Sequence, residues 1–331
     1  MPVINTDYNP SLPFKNGHFN TVYRPLFMKE KICYTRERIT TWDADFIDLD
    51  FSKVNSNTLA LLIHGLEGSS ESKYMISTAN KLNGNGIDTV AFNLRGCSGE
   101  DNLLLSTYHS GKTEDVHFVV NYLLENYNYE NILIIGFSLG GNLTLKYLGE
   151  YVTVLSEKIK GAIAISAPVD ITSSEKEMDK LKNKLYIEEF LKTIRLKVLE
   201  KSHKFPEFKL DKEKLFKATK FKHLEKLYTV PVFGFESPED YWQKASSKPY
   251  LLKIDRPTLL INAQDDSFLG EACFPYDEAK KSALFFLEVT KYGGHVGFLT
   301  SFKQNENRWL ENRIYRFIKE NIQIHITQTI S

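Results

Sequence analysis

The sequence has little cysteine and no excess of charge of either sign. Its 331 residues hold three cysteines, and none of them forms a C-x-x-C pair. An odd number of scattered cysteines argues against a disulfide scaffold and favours a reducing compartment. Lys and Arg together number 42, as do Asp and Glu. This balance argues against a nucleic acid or an anionic membrane as the main partner.

Long apolar runs and targeting patterns are also missing. No apolar run approaches the length of a membrane-spanning helix. Residues 1–13 lack the basic-then-apolar pattern of a signal peptide. We therefore expect a cytoplasmic protein with no integral membrane segment. The chain is 42% hydrophobic and 13% aromatic, which supplies a substantial core without disulfides.

One pentapeptide carries most of the chemical information in the sequence. Residues 132–135 are apolar, as in a buried strand, and lead directly into Gly136-Phe137-Ser138-Leu139-Gly140. In a G-x-S-x-G pattern between a strand and a helix, the two glycines permit a sharp turn from which the serine hydroxyl projects. Ser138 is therefore the predicted nucleophile. The alternative is a glycine-rich connection with an incidental serine.

A nucleophilic serine of this kind needs an acid and then a histidine further along the chain. Asp266 follows a predicted strand, and His295 follows the next one, with glycines on both sides. His295 is the predicted general base, and Asp266 is the acid that orients it. Asp265 and Asp170, each of which also follows a predicted strand, remain alternatives for the acid.

Backbone amides complete the predicted site. A predicted strand over residues 58–63 ends in His64-Gly65-Leu66. The N–H groups of Leu66 and of Leu139, the residue after the nucleophile, are the predicted donors of an oxyanion hole. The alternative is an ordinary strand-to-helix loop in which backbone hydrogen bonds hold His64.

Three other motifs are interpreted as structural. His18 lies far upstream of the nucleophile, in what we predict to be an irregular arm over residues 12–26. Cys97 has no base near it in sequence and is interpreted as a small packed residue. Residues 111–113, Gly-Lys-Thr, imitate a phosphate-binding loop, but the first glycine of that motif is replaced by Ser106.

Two apolar patterns predict which side chains face inward. Residues 37–54 alternate between apolar and polar, which predicts an antiparallel hairpin with Trp42 among its inward positions. Residues 181–198 carry apolar residues at helical spacing, which predicts one buried helix face that includes Leu181 and Leu185.

Strand and helix patterns alternate along most of the chain, which is typical of a mostly parallel sheet flanked by helices. The alternation stops over residues 171–250, a Lys- and Glu-rich segment that is too long for a plain connection. We predict an α/β fold in which residues 1–170 and 251–331 form the core and residues 171–250 form a helical cap insertion.

Together these motifs resemble the YheT-like branch of the α/β-hydrolases. The resemblance rests on residues 16–18, 64–69, 95–100, 108–111, 136–142 and 293–298. It implies the α/β-hydrolase fold and a serine carboxylesterase with Ser138, His295 and Asp266 as its triad. It also implies relatives that hydrolyse lipid esters or transfer acyl groups to alcohols. The chain departs from the family at Ser267, where relatives usually carry proline, and we expect it to lack the N-terminal membrane anchor of animal relatives.

The predicted function is hydrolysis of carboxylic esters with short- to medium-chain acyl groups, through an acyl-enzyme intermediate. The partner is a small-molecule ester, and the chemistry requires neither a metal nor an organic cofactor. Two alternatives remain at this stage. An alcohol O-acyltransferase would use the same residues, and a hydrolase-like scaffold could bind a ligand without turnover.

Overall fold

The computed structural model describes residues 2–303 and 307–327 of the chain. Residues 1, 304–306 and 328–331, which the predicted core segments include, lie outside this range. The described part contains the β-strands β1 Val3–Ile4, β2 Thr35–Thr40, β3 Phe46–Ser52, β4 Thr58–Ile63, β5 Asp88–Asn93, β6 Asn131–Phe137, β7 Ile159–Ile165, β8 Thr258–Ala263 and β9 Phe285–Thr290. Its α-helices are α1 Gly17–Phe27, α2 Lys73–Asn83, α3 Thr113–Asn126, α4 Leu139–Glu150, α5 Ile171–Met178, α6 Lys184–Lys204, α7 Lys212–Lys217, α8 Phe221–Leu227, α9 Thr229–Phe233, α10 Pro238–Ala245, α11 Tyr276–Lys281 and α12 Trp309–Asn321.

The strands of the described part form one sheet in the order β1-β9-β8-β7-β6-β4-β5-β3-β2. Strand β3 is antiparallel to both β2 and β5, and every other neighbouring pair is parallel. The predicted mostly parallel sheet is confirmed. Strand β4 has β5 on one side and β6 on the other, so the chain reverses its direction of winding here. Open sheets of this kind bind ligands outside the carboxyl ends of the strands at such a point.

The central strands are apolar throughout because helices cover both faces of the sheet. Successive side chains of β4 point to opposite faces. Leu59, Leu61 and Ile63 pack on the face covered by α3 and α4, and Ala60 and Leu62 pack on the face covered by α2 and α12. Each fully buried Leu or Ile contributes about 1.5–3 kcal/mol, so the sheet is a stable frame for the loops at its edge.

Helices α5 to α10 follow β7 and precede β8 in the chain, and their buried residues form two apolar clusters, one around α6 to α8 and a smaller one that joins α5 to α10. Ile187, Leu191 and Val198 of α6 pack against residues of α7 and α8. Leu181 and Leu185, which the apolar pattern placed inward, are 89% and 80% exposed. Leu181 precedes the first residue of α6, so helical spacing does not apply to it. Leu185 lies two residues before Ile187, which is about 200° around the helix and thus on the opposite face.

Two further expectations from the sequence were wrong. Trp42 lies in the turn between β2 and β3, where the strand alternation has ended, and its side chain is 55% exposed.

The segment predicted as an irregular arm instead forms α1. The side chain of Asn16 accepts a hydrogen bond from the Phe19 N–H and so caps the start of that helix. Pro25 has no N–H to donate to the carbonyl of Thr21, and α1 ends two residues later at Phe27.

No helix in the described ranges is both long enough and apolar enough to cross a membrane.

Candidate active site

Ser138 occupies the sharp turn between β6 and α4, with φ 54° and ψ −120°. Such backbone strain costs about 1–3 kcal/mol and persists only where the surroundings enforce it. The two glycines of the motif provide the necessary space. A Cβ on Gly136 would lie 2.1 Å from the Gly140 carbonyl oxygen, and a Cβ on Gly140 would lie 2.3 Å from the Ile63 carbonyl oxygen. Neither position accommodates a larger residue without moving the turn.

The structure brings the predicted serine, histidine and aspartate together at the carboxyl edge of the sheet. His295 Nε2 lies 2.8 Å from Ser138 Oγ, and His295 Nδ1 lies 2.8 Å from Asp266 Oδ2. The other carboxylate oxygen of Asp266 accepts the Phe268 N–H at 2.9 Å. The Asp266 side chain is fully buried and that of His295 is 13% exposed. This chain of hydrogen bonds can move a proton from the hydroxyl to an imidazole that a carboxylate stabilises.

The two alternative acids do not touch His295. Asp265 accepts the Gly294 N–H at 2.9 Å, one residue before the histidine. Asp170 accepts the Ser173 N–H at 2.8 Å and thereby caps α5. Among the three candidates, the structure therefore places only Asp266 against the imidazole.

The other histidines and the cysteine considered from the sequence also lie apart from this site. His18 Nδ1 lies 3.2 Å from the Tyr186 hydroxyl. His64 Nε2 accepts the Leu94 N–H at 3.0 Å, and burial lowers the pKa of His64 to about 4, so this imidazole is neutral. Cys97 is buried in the core, and burial raises the pKa of its thiol to about 12. A neutral buried thiol is not an effective nucleophile.

Leu66 follows Gly65 in the loop between β4 and α2, and Leu139 follows Ser138 as the first residue of α4. Both residues line the cavity that contains Ser138, and a Cβ on Gly65 would approach the Ser138 Cβ to 3.0 Å, so the two loops pack closely. In the described part of the chain, neither the Leu66 N–H nor the Leu139 N–H has a hydrogen-bond acceptor. Both groups are therefore available to a ligand.

Helix α1 holds the loop that carries His295, a role that the sequence reasoning missed. Thr21 Oγ1 accepts the His295 N–H at 2.8 Å, and buried Arg24 donates to the Gly297 carbonyl oxygen at 3.0 Å. A Cβ on Gly294 would lie 2.3 Å from the Gly17 carbonyl oxygen. The glycines around the histidine indicated a close neighbour, but nothing in the sequence identified that neighbour as α1.

Ser138 and His295 line a cavity of about 770 Å³ between the sheet edge and the helices that follow β7. Pockets of this size enclose most of the surface of a small organic ligand. Much of the lining is apolar and comes from residues Leu66, Leu139, Ile171, Met178, Phe190, Ile194, Val198, Phe221, Leu224, Phe268 and Leu269. The cavity therefore favours an apolar group placed next to the serine.

Two of the carboxyl groups that line this cavity, those of Glu175 and Glu225, have raised pKa values. Burial raises the pKa of Glu225 to about 8, and burial together with the nearby Glu225 raises the pKa of Glu175 well above its ordinary value. Trp242 Nε1–H donates to Glu225 Oε2 at 2.8 Å. These shifts favour the protonated form of both carboxyl groups, which lowers the negative charge in this part of the cavity.

The raised pKa of Glu225 predicts a loss of stability as the pH rises from acidic to slightly alkaline values. Because the pKa rises from 4.5 in the unfolded chain to about 8 in the folded one, the folded protein binds more protons between these values. Its stability therefore falls as pH rises from 4.5 to 8. The Glu225→Gln variant, which keeps the acceptor for Trp242, is expected to show a smaller drop in melting temperature between pH 5 and pH 8.5.

The matched control for this experiment is Glu189→Gln, since Glu189 lines the same cavity but is exposed. Its melting temperature should follow the wild-type dependence on pH. Identical pH dependences for wild type and Glu225→Gln would contradict the assignment of a raised pKa to Glu225.

Comparison with known proteins agrees with this architecture. Residues 60–302 match the family model described as the alpha/beta hydrolase fold, and the chain belongs to that family. The protein of Escherichia coli (strain K12) named "Putative esterase YheT" is 28% identical over 316 residues, which cover 94% of this chain and 92% of that protein. Human "Phospholipase ABHD3" is 28% identical over 333 residues, which cover 97% of this chain and 81% of that protein.

A solved structure shows the same fold. The esterase Pf2001 of Pyrococcus furiosus superposes with a TM-score of 0.60 at 19% identity, and the match covers 87% of this chain and 91% of that one. The predicted α/β-hydrolase fold and the resemblance to the YheT-like branch are both confirmed.

Proposed function

We propose that this chain is a serine hydrolase that cleaves carboxylic esters with short- to medium-chain acyl groups. The observation that carries the proposal is the hydrogen-bonded series Ser138, His295 and Asp266, with both donor–acceptor distances at 2.8 Å, at the wall of an apolar cavity. Ester hydrolysis is also what the names of the esterase and phospholipase relatives state for those proteins.

In the first half of the proposed reaction, His295 Nε2 takes the proton of Ser138 while Oγ attacks the ester carbonyl carbon. The carbonyl oxygen becomes an oxyanion and accepts hydrogen bonds from the N–H groups of Leu66 and Leu139. One such donor is worth about 3–4 kcal/mol in comparable sites. Asp266 holds the Nδ1–H and stabilises the imidazolium. The bond to the alcohol oxygen then breaks, and the Nε2 proton passes to the departing alcohol.

In the second half, water attacks the acyl-enzyme carbonyl and gives a proton to His295 Nε2. The tetrahedral intermediate collapses, the bond to Ser138 Oγ breaks, and the proton returns to the serine. The products are a carboxylic acid and the free enzyme. No step needs an oxidant, a reductant or a second substrate besides water.

We further propose that residues 171–250 act as a cap over a core formed by residues 1–170 and 251–331, so that their apolar side chains contact the acyl chain. Burial of each additional CH₂ group contributes about 0.8 kcal/mol until the cavity is full. We therefore expect selectivity to rise with chain length and then to reverse.

Hydrolysis of p-nitrophenyl esters graded from acetate to palmitate tests this proposal. The value of kcat/KM should rise from acetate to a medium-length chain such as octanoate and should fall for palmitate. Turnover that is equal for all chain lengths would contradict the proposed cavity fit. Folded protein that turns over none of these esters would instead indicate a scaffold without ester hydrolysis.

The alcohol O-acyltransferase alternative is tested in the same assay. Glycerol competes with water for the acyl-enzyme, so the ratio of acylglycerol to free acid measures the two outcomes. The proposal expects free acid as the main product in dilute aqueous glycerol, and a predominance of acylglycerol would replace hydrolysis by acyl transfer.

A further inference from the structure

The amides on either side of Leu66 are both occupied by tyrosine hydroxyl groups. The Gly65 N–H donates to Tyr74 Oη at 3.0 Å, and the Glu67 N–H donates to Tyr108 Oη at 2.9 Å. The Leu66 N–H between them has no acceptor in the part of the chain that the structure describes. The two phenols thus leave one N–H of this loop for a ligand at Ser138.

Glu67 fixes the backbone just after that free amide. Its φ of 54° lies in the left-handed region, where a residue other than glycine is strained. Tyr108 Oη accepts the Glu67 N–H and donates its own proton to Glu67 Oε1 at 2.7 Å. The second carboxylate oxygen, Oε2, lies 2.8 Å from Lys197 Nζ. Contacts with both ends of the Glu67 residue therefore oppose a rotation of the Leu66–Glu67 peptide, and this restrains the backbone directly after the Leu66 N–H.

Lys197 belongs to α6, so this contact joins the helical insertion to the core. Lys197 Nζ also lies 3.6 Å from Cys97 Sγ. Because burial raises the pKa of that thiol to about 12, the thiol is neutral at pH 7 and the negative charge facing the ammonium is that of Glu67. One turn further along α6, Lys201 Nζ donates to the Asn102 carbonyl oxygen at 2.7 Å. The helix is thereby anchored to the core close to Lys197.

We propose that Glu67, Tyr108 and Lys197 are positioning residues that aim the Leu66 N–H at the oxyanion, so that helix α6 controls the rate of the chemical step. The inference rests on the ester hydrolysis proposed above. It also gives a role to two motifs that the reaction itself does not use, the glutamate of His64-Gly65-Leu66-Glu67-Gly68 and the tyrosine of residues 108–111.

Lys197→Met and Tyr108→Phe test the inference, because Lys197→Met removes the contact with Glu67 Oε2, Tyr108→Phe removes both hydrogen bonds with Glu67, and each variant keeps most of the side-chain volume. Both variants are expected to lower kcat for p-nitrophenyl octanoate about tenfold, with KM changed less than twofold, since only the transition state carries an oxyanion. The matched control is Lys192→Met, because Lys192 is an exposed lysine on the same helix. That variant should keep the wild-type kcat.

A pair of inhibitors separates positioning from a general structural effect. Octylboronic acid forms a tetrahedral adduct with the serine and needs the oxyanion hole, whereas octanol fills the acyl part of the cavity without an oxyanion. In Lys197→Met the inhibition constant of the boronic acid should rise about tenfold, and that of octanol should stay within twofold of wild type. In addition, Lys197→Met combined with Glu67→Gln should be no slower than Glu67→Gln by itself.

Three outcomes would overturn the inference. They are an unchanged kcat and boronic acid affinity in folded Lys197→Met, an equal loss of octanol affinity in that variant, and additive effects in the double variant. If Tyr108→Phe fails to fold, the results for Lys197→Met by themselves still test the positioning role. Failure of the proposed function is distinguishable from these results, because it appears as wild-type protein that turns over no ester or as a Ser138→Ala variant that keeps its turnover.

Discussion

The Ser138→Ala variant is expected to lose kcat for p-nitrophenyl octanoate by about 10⁴- to 10⁶-fold. Without Oγ no acyl-enzyme forms, and the remaining rate reflects only water attacking a substrate bound near the amides of Leu66 and Leu139. The loss should appear in kcat, since the octanoyl chain keeps its apolar contacts in the cavity. Steady-state hydrolysis followed at 405 nm measures both kcat and KM.

The matched control is Ser174→Ala, because Ser174 is a buried serine that lines the same cavity. Its hydroxyl lies 3.3 Å from Cys273 Sγ, whereas the ring nitrogens of His295 face Ser138 and Asp266. That variant should hydrolyse the ester within a few-fold of the wild-type rate. A Ser138→Ala protein that is folded and retains a tenth of the wild-type kcat would contradict the assignment of the nucleophile.

The Asp266→Asn variant is expected to lower kcat by about 10⁴-fold at neutral pH. An asparagine amide that faces His295 Nδ1 acts as a donor, so the imidazole proton moves to Nε2. In that tautomer Nε2 cannot accept the proton of Ser138, although the side-chain geometry is preserved. The fall should be largest near neutral pH and should leave KM nearly unchanged.

Asp265→Asn is the matched comparison, since it changes the neighbouring residue in the same way. Asparagine Oδ1 can still accept the Gly294 N–H that Asp265 holds at 2.9 Å. Asp265→Asn is therefore expected to keep kcat within about fivefold of wild type, because the substitution leaves the Gly294 N–H with its acceptor. A larger loss in Asp265→Asn than in Asp266→Asn would identify Asp265 as the acid.

Much of the fold could be predicted because the central strands are buried on both faces. Their sequences are then continuous apolar runs, such as residues 132–135, and each run ends at glycine or at a turn residue. The residues that the structure brings together at the sheet edge were predictable for a related reason. Ser138, Asp266 and His295 each follow a strand, and the carboxyl ends of parallel strands share one edge of the sheet.

The contacts that hold the site could not be predicted because they join segments without a shared pattern. Thr21 binds the backbone of His295 across 274 positions of sequence, and Tyr108 binds Glu67 across 41. Neither tyrosines nor threonines carry a periodic signal that marks a distant partner. The prediction that Leu181 and Leu185 are buried was wrong for a different reason. The apolar pattern included both residues, but the helix buries only some of the apolar residues in that pattern.

Labelling with a fluorophosphonate, followed by peptide mapping, tests the central claim most directly. The reagent phosphonylates a serine only where a base activates it and an oxyanion hole receives the charge. Trypsin releases residues 113–146 as one peptide, in which Ser138 is the only serine. We predict one phosphonyl group per chain, on this peptide and at Ser138. Folded protein that stays unlabelled, or that carries the label on another peptide, would contradict the account.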